Sequence, residues 1–161
     1  LSIAEGMDPS PKARAKMNSK GFDGKLLGEF YAEKRVPMWF RIGTASYVER
    51  YYIDSLVGQG GDPEWARKWS IENLVSKGGL RPAGDLFVNE IRVDDAEKLF
   101  NELGLVMAFV LDGKCAPVTE ALALVKKSLR EGNDKEIGKA FEALRKAIVA
   151  HETELRKFGG V

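Results

Sequence analysis

The sequence predicts a mainly α-helical protein, in which a basic N-terminal arm and its helices precede a C-terminal helical bundle. Two observations favour this fold class. Apolar residues recur at spacings of three and four along several stretches, and proline and glycine stand at the ends of those stretches. The chain of 161 residues has room for one sizeable hydrophobic core. We expect the arm and its helices in residues 1–61 and the bundle in residues 62–161.

The arm is predicted from a segment that resists helix formation. Asp8-Pro9-Ser10-Pro11 interrupts any helix, and residues 8–25 contain five basic side chains with few apolar partners. Residues 26–34 are predicted as a short helix because one side carries the apolar residues Leu26, Leu27, Phe30 and Tyr31. Val36-Pro37 ends this helix, since a residue before proline avoids the α-helical region.

The next helix is predicted over residues 38–57, with Pro37 at its start. An apolar stripe at spacings of three and four is expected to face the core, and it consists of Ile42, Ala45, Val48, Tyr52 and Leu56. The turn Gly58-Gln59-Gly60-Gly61 follows this helix.

A further helix is predicted to begin at Asp62-Pro63-Glu64. This tripeptide supplies a capping aspartate, a proline at the first helical position and an acid in the first turn. The helix should run to about Ser76 and stop at Gly78-Gly79.

Residues 80–113 fit two interpretations. Leu86-Phe87-Val88 and the run from Leu105 to Leu111 could be buried strands that flank a helix over about 94–103, or they could be helices. The second run is rich in Leu, Met and Ala, which favours a helix there. A minor β contribution within 84–112 stays open.

The C-terminal third predicts two helices joined by a short link. Pro117 opens the first, which runs to about Glu131 with an apolar face formed by Val118, Leu122, Val125 and Leu129. Asn133 with Glu136 forms a capping-box pattern. The second helix is expected to continue to Gly159-Gly160 with the stripe Ile137, Phe141, Leu144, Ile148 and Leu155. The short link predicts that the two helices pack antiparallel.

The net charge of +1 conceals an uneven distribution. Residues 1–9 carry a net charge of −2, residues 10–52 carry +5, residues 53–100 carry −3 and residues 101–161 carry +1. The total therefore excludes a uniformly basic protein but not one with a basic and an acidic part.

The basic part also holds the aromatic residues. All four tyrosines and all three tryptophans lie between Tyr31 and Trp69. Basic side chains neutralise phosphates and release counterions, and tyrosine hydroxyls can donate hydrogen bonds to phosphate. We therefore expect a nucleic-acid-binding set formed by Lys12, Arg14, Lys16, Lys20, Lys25, Lys34, Arg35, Arg41, Tyr47, Arg50 and Tyr51.

No catalytic, metal or cofactor site is predicted. One cysteine excludes an intrachain disulfide and a cysteine-rich metal cage, and one histidine removes most metal sites and most general-base arrangements. His151-Glu152 is interpreted as a solvated helix face and Cys115 as a small buried residue. The glycine-rich turn before Asp62 lacks the Lys-Ser/Thr of a phosphate loop. The longest apolar run is too short to span a membrane.

This layout resembles the major coat proteins of filamentous viruses of hyperthermophilic archaea. The arm would be Pro11 to Lys25, the wrapping helices would be 26–34 and 38–57, and the bundle would begin at Asp62. The resemblance covers most of the chain in layout. It implies linear double-stranded DNA held in A form, self-assembly into a helical filament, a paralogous coat subunit as a further partner, and a location in the virion and in the host cytoplasm during assembly.

The resemblance also requires that the acidic stretch 53–100 face away from DNA. Single occurrences of Gln, Cys and His beside 30% charged residues are typical of proteins from hot-living organisms, which agrees with it. The alternative is a non-enzymatic helical adaptor whose Tyr/Trp surface docks a partner protein.

Overall fold

Helix α3 (Ala96–Asp112) forms the centre of the structure, because eleven of its seventeen residues are buried. The computed structural model describes residues 36–49, 65–87, 95–131 and 133–161. Around α3 lie α1 (Met38–Val48), α2 (Trp65–Asn73), α4 (Ala116–Glu131) and α6 (Glu152–Gly159), and α5 (Asp134–Ala150) packs against α4. Two short 3₁₀ turns, Val75–Lys77 and Ala83–Leu86, connect α2 to the region before α3.

The predicted fold class is confirmed, because the described residues form six α-helices and no strand. The strand alternative for Leu105 to Leu111 is wrong, since this run lies within α3. Residues 83–86 form a 3₁₀ turn, and the rest of the proposed first strand, from residue 88, lies outside the described residues. Leu, Met and Ala are strong helix formers, and a helix that is apolar on all sides is typical of a protein interior.

The buried face of α1 differs from the predicted stripe. Ala45 and Val48 are exposed, whereas the buried residues are Trp39, Phe40, Gly43, Ser46 and Tyr47. The reason is close backbone packing against α3: a Cβ atom on Gly43 would lie 2.7 Å from the carbonyl oxygen of Leu103. Small residues therefore form part of the contact face. A pattern of large apolar side chains does not predict such a face. Tyr52 and Leu56 lie outside the described residues.

Helix α1 belongs to the same core as the C-terminal helices. The Trp39 ring meets Phe87 edge-on at a centroid distance of 4.8 Å, and Phe40 meets Phe141 of α5 at 5.1 Å. The expected division near residue 61 therefore does not separate two cores among the described residues. The predicted arm, the helix over 26–34 and the start at Asp62 lie outside the described residues.

Helix α2 ends close to its predicted stop. Its last residue is Asn73, and the chain continues through the first 3₁₀ turn to Gly78. Gly78 and Gly79 have φ angles of 90° and 75°, a left-handed backbone that favours glycine. The sequence thus placed this stop correctly, although the α-helix itself is slightly shorter than predicted.

Helices α4 and α5 form the predicted antiparallel pair, because they pack against each other and only residues 132 and 133 link them. The capping box is present. The Asn133 Oδ1 atom accepts from the N–H groups of Lys135 and Glu136 at 3.1 Å, and Glu136 Oε2 accepts from the Asn133 N–H at 3.0 Å. The predicted core stripe of α5 is buried at Ile137, Phe141, Leu144 and Ile148.

The last helix is interrupted where the sequence predicted continuity. Helix α5 ends at Ala150, His151 adopts φ −115° and ψ 35°, and α6 begins at Glu152. The His151 ring Nδ1 lies 2.8 Å from the carbonyl oxygen of Ala147, where a histidine N–H can satisfy an end carbonyl of α5. Leu155 is nevertheless buried as predicted, and Gly160 ends α6 at φ 69°.

Within the described ranges, no helix has both the length and the apolar character that crossing a bilayer requires.

Candidate nucleic-acid interface

Two of the predicted nucleic-acid-binding residues, Arg41 and Tyr47, lie in the described structure. Both are on α1, six residues apart, which places them about 120° apart around a helix of 3.6 residues per turn. The other predicted residues lie outside the described residues: Lys12, Arg14, Lys16, Lys20, Lys25, Lys34, Arg35, Arg50 and Tyr51.

Arg41 lies on the side of α1 that borders solvent. Its side chain is half-buried, and its Nε atom is itself buried and has no hydrogen-bond partner among the described residues. An arginine keeps its charge at all physiological pH values and presents five N–H donors, which match phosphate oxygens. Only the part of this side chain that remains exposed is available to an external anion.

Tyr47 faces the interior instead. Only 7% of its surface is exposed, and its hydroxyl donates to Asp112 Oδ2 at 2.9 Å. Burial raises the pKa of Asp112, and the hydrogen bond from Tyr47 partly opposes that rise. In this conformation the Tyr47 donor links α1 to the end of α3.

The described aromatic residues are mostly core residues. Trp39 is 5% exposed and Trp69 is 9% exposed, and Trp39 packs edge-on against Phe40, Phe87 and Phe141. These rings anchor helices and present no face for a nucleobase or a partner protein. An adaptor that relies on a Tyr/Trp surface would have to use tyrosine and tryptophan residues whose side chains the structure does not describe.

A partly buried ionic cluster, with only Glu102 fully buried, joins the segment before α3 to α3 and α6, and the sequence did not predict it. We call it the ionic clasp, and it consists of Arg81, Asp95, Glu102, Glu152 and Arg156. Arg81 forms a two-pronged contact with Asp95, with Nη1–Oδ2 and Nη2–Oδ1 distances of 2.7 and 2.9 Å. Its Nε lies 2.7 Å from Oε2 of Glu102, and its backbone N–H donates to Oε1 at 3.0 Å.

The second half of the ionic clasp involves α6. Arg156 Nε donates to Glu152 Oε1 at 2.8 Å, and its Nη2 donates to the carbonyl oxygen of Leu80 at 3.0 Å. Glu152 Oε2 accepts from the backbone N–H of Ala83 at 3.1 Å. Five charged side chains thus fix the extended segment 80–83 against two helices. The interpretation of Glu152 as part of a solvated helix face is wrong, since the residue is half-buried and engaged on both oxygens.

The environment shifts the pKa values within the ionic clasp in different directions. Burial raises the pKa of Glu102, although Arg81 opposes the rise. Burial also acts to raise the pKa of Glu152, but the Arg156 guanidinium and the Ala83 N–H outweigh it, so that this pKa is lowered. The hydrogen bond from Arg81 to Asp95 is the largest cause that raises the pKa of Arg81. In the sequence, the only signal for the cluster is the acidic residue Glu102, which stands among the apolar residues Leu99 and Leu103. The structure shows both leucines buried.

No group of three or more His, Cys, Asp or Glu residues is arranged to hold a metal ion in the part of the chain that the structure describes. Cys115, which the sequence predicted to be buried, is half-buried and packs against the core.

No family model matches the chain, and neither a curated protein nor a solved structure shows a significant match to it.

Proposed function

We propose that the protein is a structural coat protein that binds linear double-stranded DNA through phosphate contacts, without reading the base sequence, and assembles into a filament. The observation that carries the proposal is the excess of five positive charges between residues 10 and 52. Cations concentrated in one part of a chain bind a phosphate backbone by counterion release, a mechanism that does not depend on base sequence.

The charges of the following segment set a condition on this assignment. Residues 53–100 carry a net charge of −3, which would repel DNA if those carboxylates faced it. Among the described carboxylates, Asp95 pairs with Arg81 and Glu97 pairs with Lys77. Both pairs use cations of the same stretch, so its net charge stays at −3, and the proposal requires that its other carboxylates face away from DNA.

Arg41 connects the cationic segment to the helical core. Because α1 packs rigidly against α3 through Gly43 and Gly104, a phosphate held by Arg41 would be held at a fixed position relative to the whole bundle. The cations before residue 36 would then follow the DNA backbone away from this point, and the bundle would provide the contacts between subunits.

Binding of the full chain to two duplexes of unrelated sequence, measured over a range of salt concentrations, tests the proposal. We expect equal affinities for both duplexes. We also expect the logarithm of the affinity to fall linearly with the logarithm of the salt concentration. The variant Lys12→Gln/Lys16→Gln/Lys20→Gln/Lys25→Gln should reduce the slope by about 0.9 for each phosphate that the variant no longer neutralises. A matched variant with four exposed lysines of the bundle replaced, Lys114, Lys135, Lys146 and Lys157, should retain the slope. Affinity that does not change with salt would refute the proposal.

A further inference from the structure

Residues 80–87, which we call the strap, lie across the core and contain no α-helix. The strap turns its apolar residues inward, and at most 5% of each is exposed: Leu80, Ala83 and Leu86. The ring of Phe87 meets Trp39 of α1 edge-on at a centroid distance of 4.8 Å. The 3₁₀ turn within the strap contacts both α3 and α5. The strap therefore covers part of the core, and its departure would expose apolar surface to water.

Among the described residues, every hydrogen bond between the strap and a helix involves a charged side chain. The Arg81 N–H donates to Glu102 at 3.0 Å, and the Ala83 N–H donates to Glu152 at 3.1 Å. In the other direction, Arg156 donates to the carbonyl oxygens of Leu80 and Arg81 at 3.0 and 3.3 Å. No described backbone–backbone hydrogen bond joins the strap to a helix, so the strap can detach without breaking one.

The strap covers the carboxylate of Glu102. The Glu102 side chain has no exposed surface, and both of its oxygens contact Arg81: Oε1 accepts from the Arg81 N–H, and Oε2 lies 2.7 Å from Nε. Both oxygens therefore face the strap. Departure of the strap would remove these two contacts and admit water to a carboxylate that is otherwise buried.

Glu102 is incompletely compensated when it is ionised. The ionic clasp contains three carboxylates but only two guanidinium groups, and Glu102 shares Arg81 with Asp95. Lys98, on the preceding turn of α3, acts on Glu102 without a direct ion pair. From α6 the strap meets one group of each charge, Glu152 and Arg156. Burial disfavours the ionised carboxylate more than its partners favour it, and the pKa of Glu102 is raised.

We propose that the strap is a proton-controlled latch, which opens ahead of the rest of the core when Glu102 is ionised. A protonated Glu102 is neutral and stays buried at little cost, so the closed strap is favoured at low pH. An ionised Glu102 gains hydration when the strap opens. Opening therefore becomes more favourable as the pH rises above 4.5, the ordinary pKa, and through the raised pKa of the closed state.

The backbone before the strap is suited to this movement. Gly78 and Gly79 have φ angles of 90° and 75°, and glycine has access to more backbone conformations than any other residue. The chain can therefore change direction at these two residues without disturbing α2. The latch is independent of the proposed function, because none of its residues belongs to the predicted nucleic-acid-binding set.

Hydrogen exchange of the full chain tests the inference, with protection factors corrected for the intrinsic pH dependence of exchange. The N–H groups of Arg81 and Ala83 report opening of the strap, whereas the N–H of Met107, in the buried part of α3, reports unfolding of the whole core. We expect the first two to be less protected than the third at every pH. Their protection should fall above pH 4.5 by at most about tenfold per pH unit, the limit for the loss of one proton.

Variants of two clasp carboxylates identify the group that titrates. Glu102→Gln and Glu102→Leu should each abolish the fall of protection with pH, because neither side chain loses a proton. Glu152→Gln is the matched control, since Glu152 also accepts from the strap but has a lowered pKa. This variant should lower the protection of the Ala83 N–H by a constant factor well above pH 4.5 and keep the fall. Equal protection of the three N–H groups, or a fall that persists in both Glu102 variants, would overturn the inference.

Discussion

The guanidinium Nε of Arg81 lies 2.7 Å from Oε2 of Glu102, a carboxylate whose side chain has no exposed surface. Glu102 sits in the middle of the most buried helix, and Arg81 reaches it from the extended segment between the two 3₁₀ turns. A buried charge is tolerated only with a partner, so this pair fixes the position of the segment relative to α3.

Loss of one partner of this pair should destabilise the protein strongly. Arg81→Met leaves the Glu102 carboxylate buried without its counter-charge, and we expect the free energy of unfolding to fall by about 3–5 kcal/mol. Urea denaturation of the variant measures this. The double variant Arg81→Met/Glu102→Leu removes both charges and should recover most of the loss. A double variant as unstable as the sum of the two single variants would show that the two residues do not interact.

The pH dependence of stability should identify Glu102. Its pKa in the folded protein is raised above the ordinary value of 4.5, so its contribution to stability is complete below that value and is lost as pH rises through the folded pKa. Glu102→Gln resembles the protonated side chain and lacks this titration. The variant should therefore gain stability relative to the wild type as the pH rises above the ordinary glutamate pKa of 4.5. The lowered pKa of Glu152 makes stability rise with pH instead. Because Glu152 is present in both proteins, its contribution cancels when the variant is compared with the wild type.

Two glycine substitutions should change the free energy of unfolding in opposite directions, because Gly104 lies at the close contact between α1 and α3 and Gly138 does not. A Cβ atom on Gly104 would collide with the Ser46 side chain, whereas a Cβ atom on Gly138 of α5 meets nothing within 4 Å. Gly104→Ala should lower the free energy of unfolding by about 1–3 kcal/mol through overpacking. Gly138→Ala should raise it by about 0.5–1 kcal/mol, because alanine restricts the unfolded chain and favours the helix. Ser46→Gly should partly rescue Gly104→Ala; without rescue, the helix contact is not the cause.

Arg41 should contribute one phosphate contact. Arg41→Gln is expected to reduce the slope of log affinity against log salt by about 0.9 for duplex DNA, with a similar loss for every base sequence. Arg130→Gln, at an exposed arginine of α4, is the matched control and should leave the slope unchanged. Filter binding at several salt concentrations measures both. An unchanged slope for Arg41→Gln would place DNA elsewhere than along α1.

The C-terminal helices could be predicted from the sequence because their signals are local. The Asn133–Glu136 capping box, the proline at the start of α4 and the apolar stripe of α5 are each contained within a few turns, and all three lie where predicted. The break at His151 was missed, because the apolar spacing continues across it to Leu155 and nothing in that spacing marks a change of helix.

Long-range contacts could not be predicted in the same way. The buried face of α1 depends on Gly43 fitting against Leu103, sixty residues away along the chain, and small residues carry no signal in an apolar pattern. The ionic clasp joins residues 81, 95, 102, 152 and 156, whose pairing depends on the packing of α3 and α6. For the candidate interface, the charge distribution identified a cationic segment, but only the fold shows that Tyr47 donates to Asp112 and that Arg41 borders solvent.

Electron microscopy of the full chain mixed with long linear double-stranded DNA at low salt tests the central claim most directly. We predict filaments of uniform width with DNA inside, of the same width for two unrelated DNA sequences, and their dissolution when the salt concentration is raised. Small discrete particles without DNA, in the presence of excess duplex, would contradict the claim that this protein encases DNA.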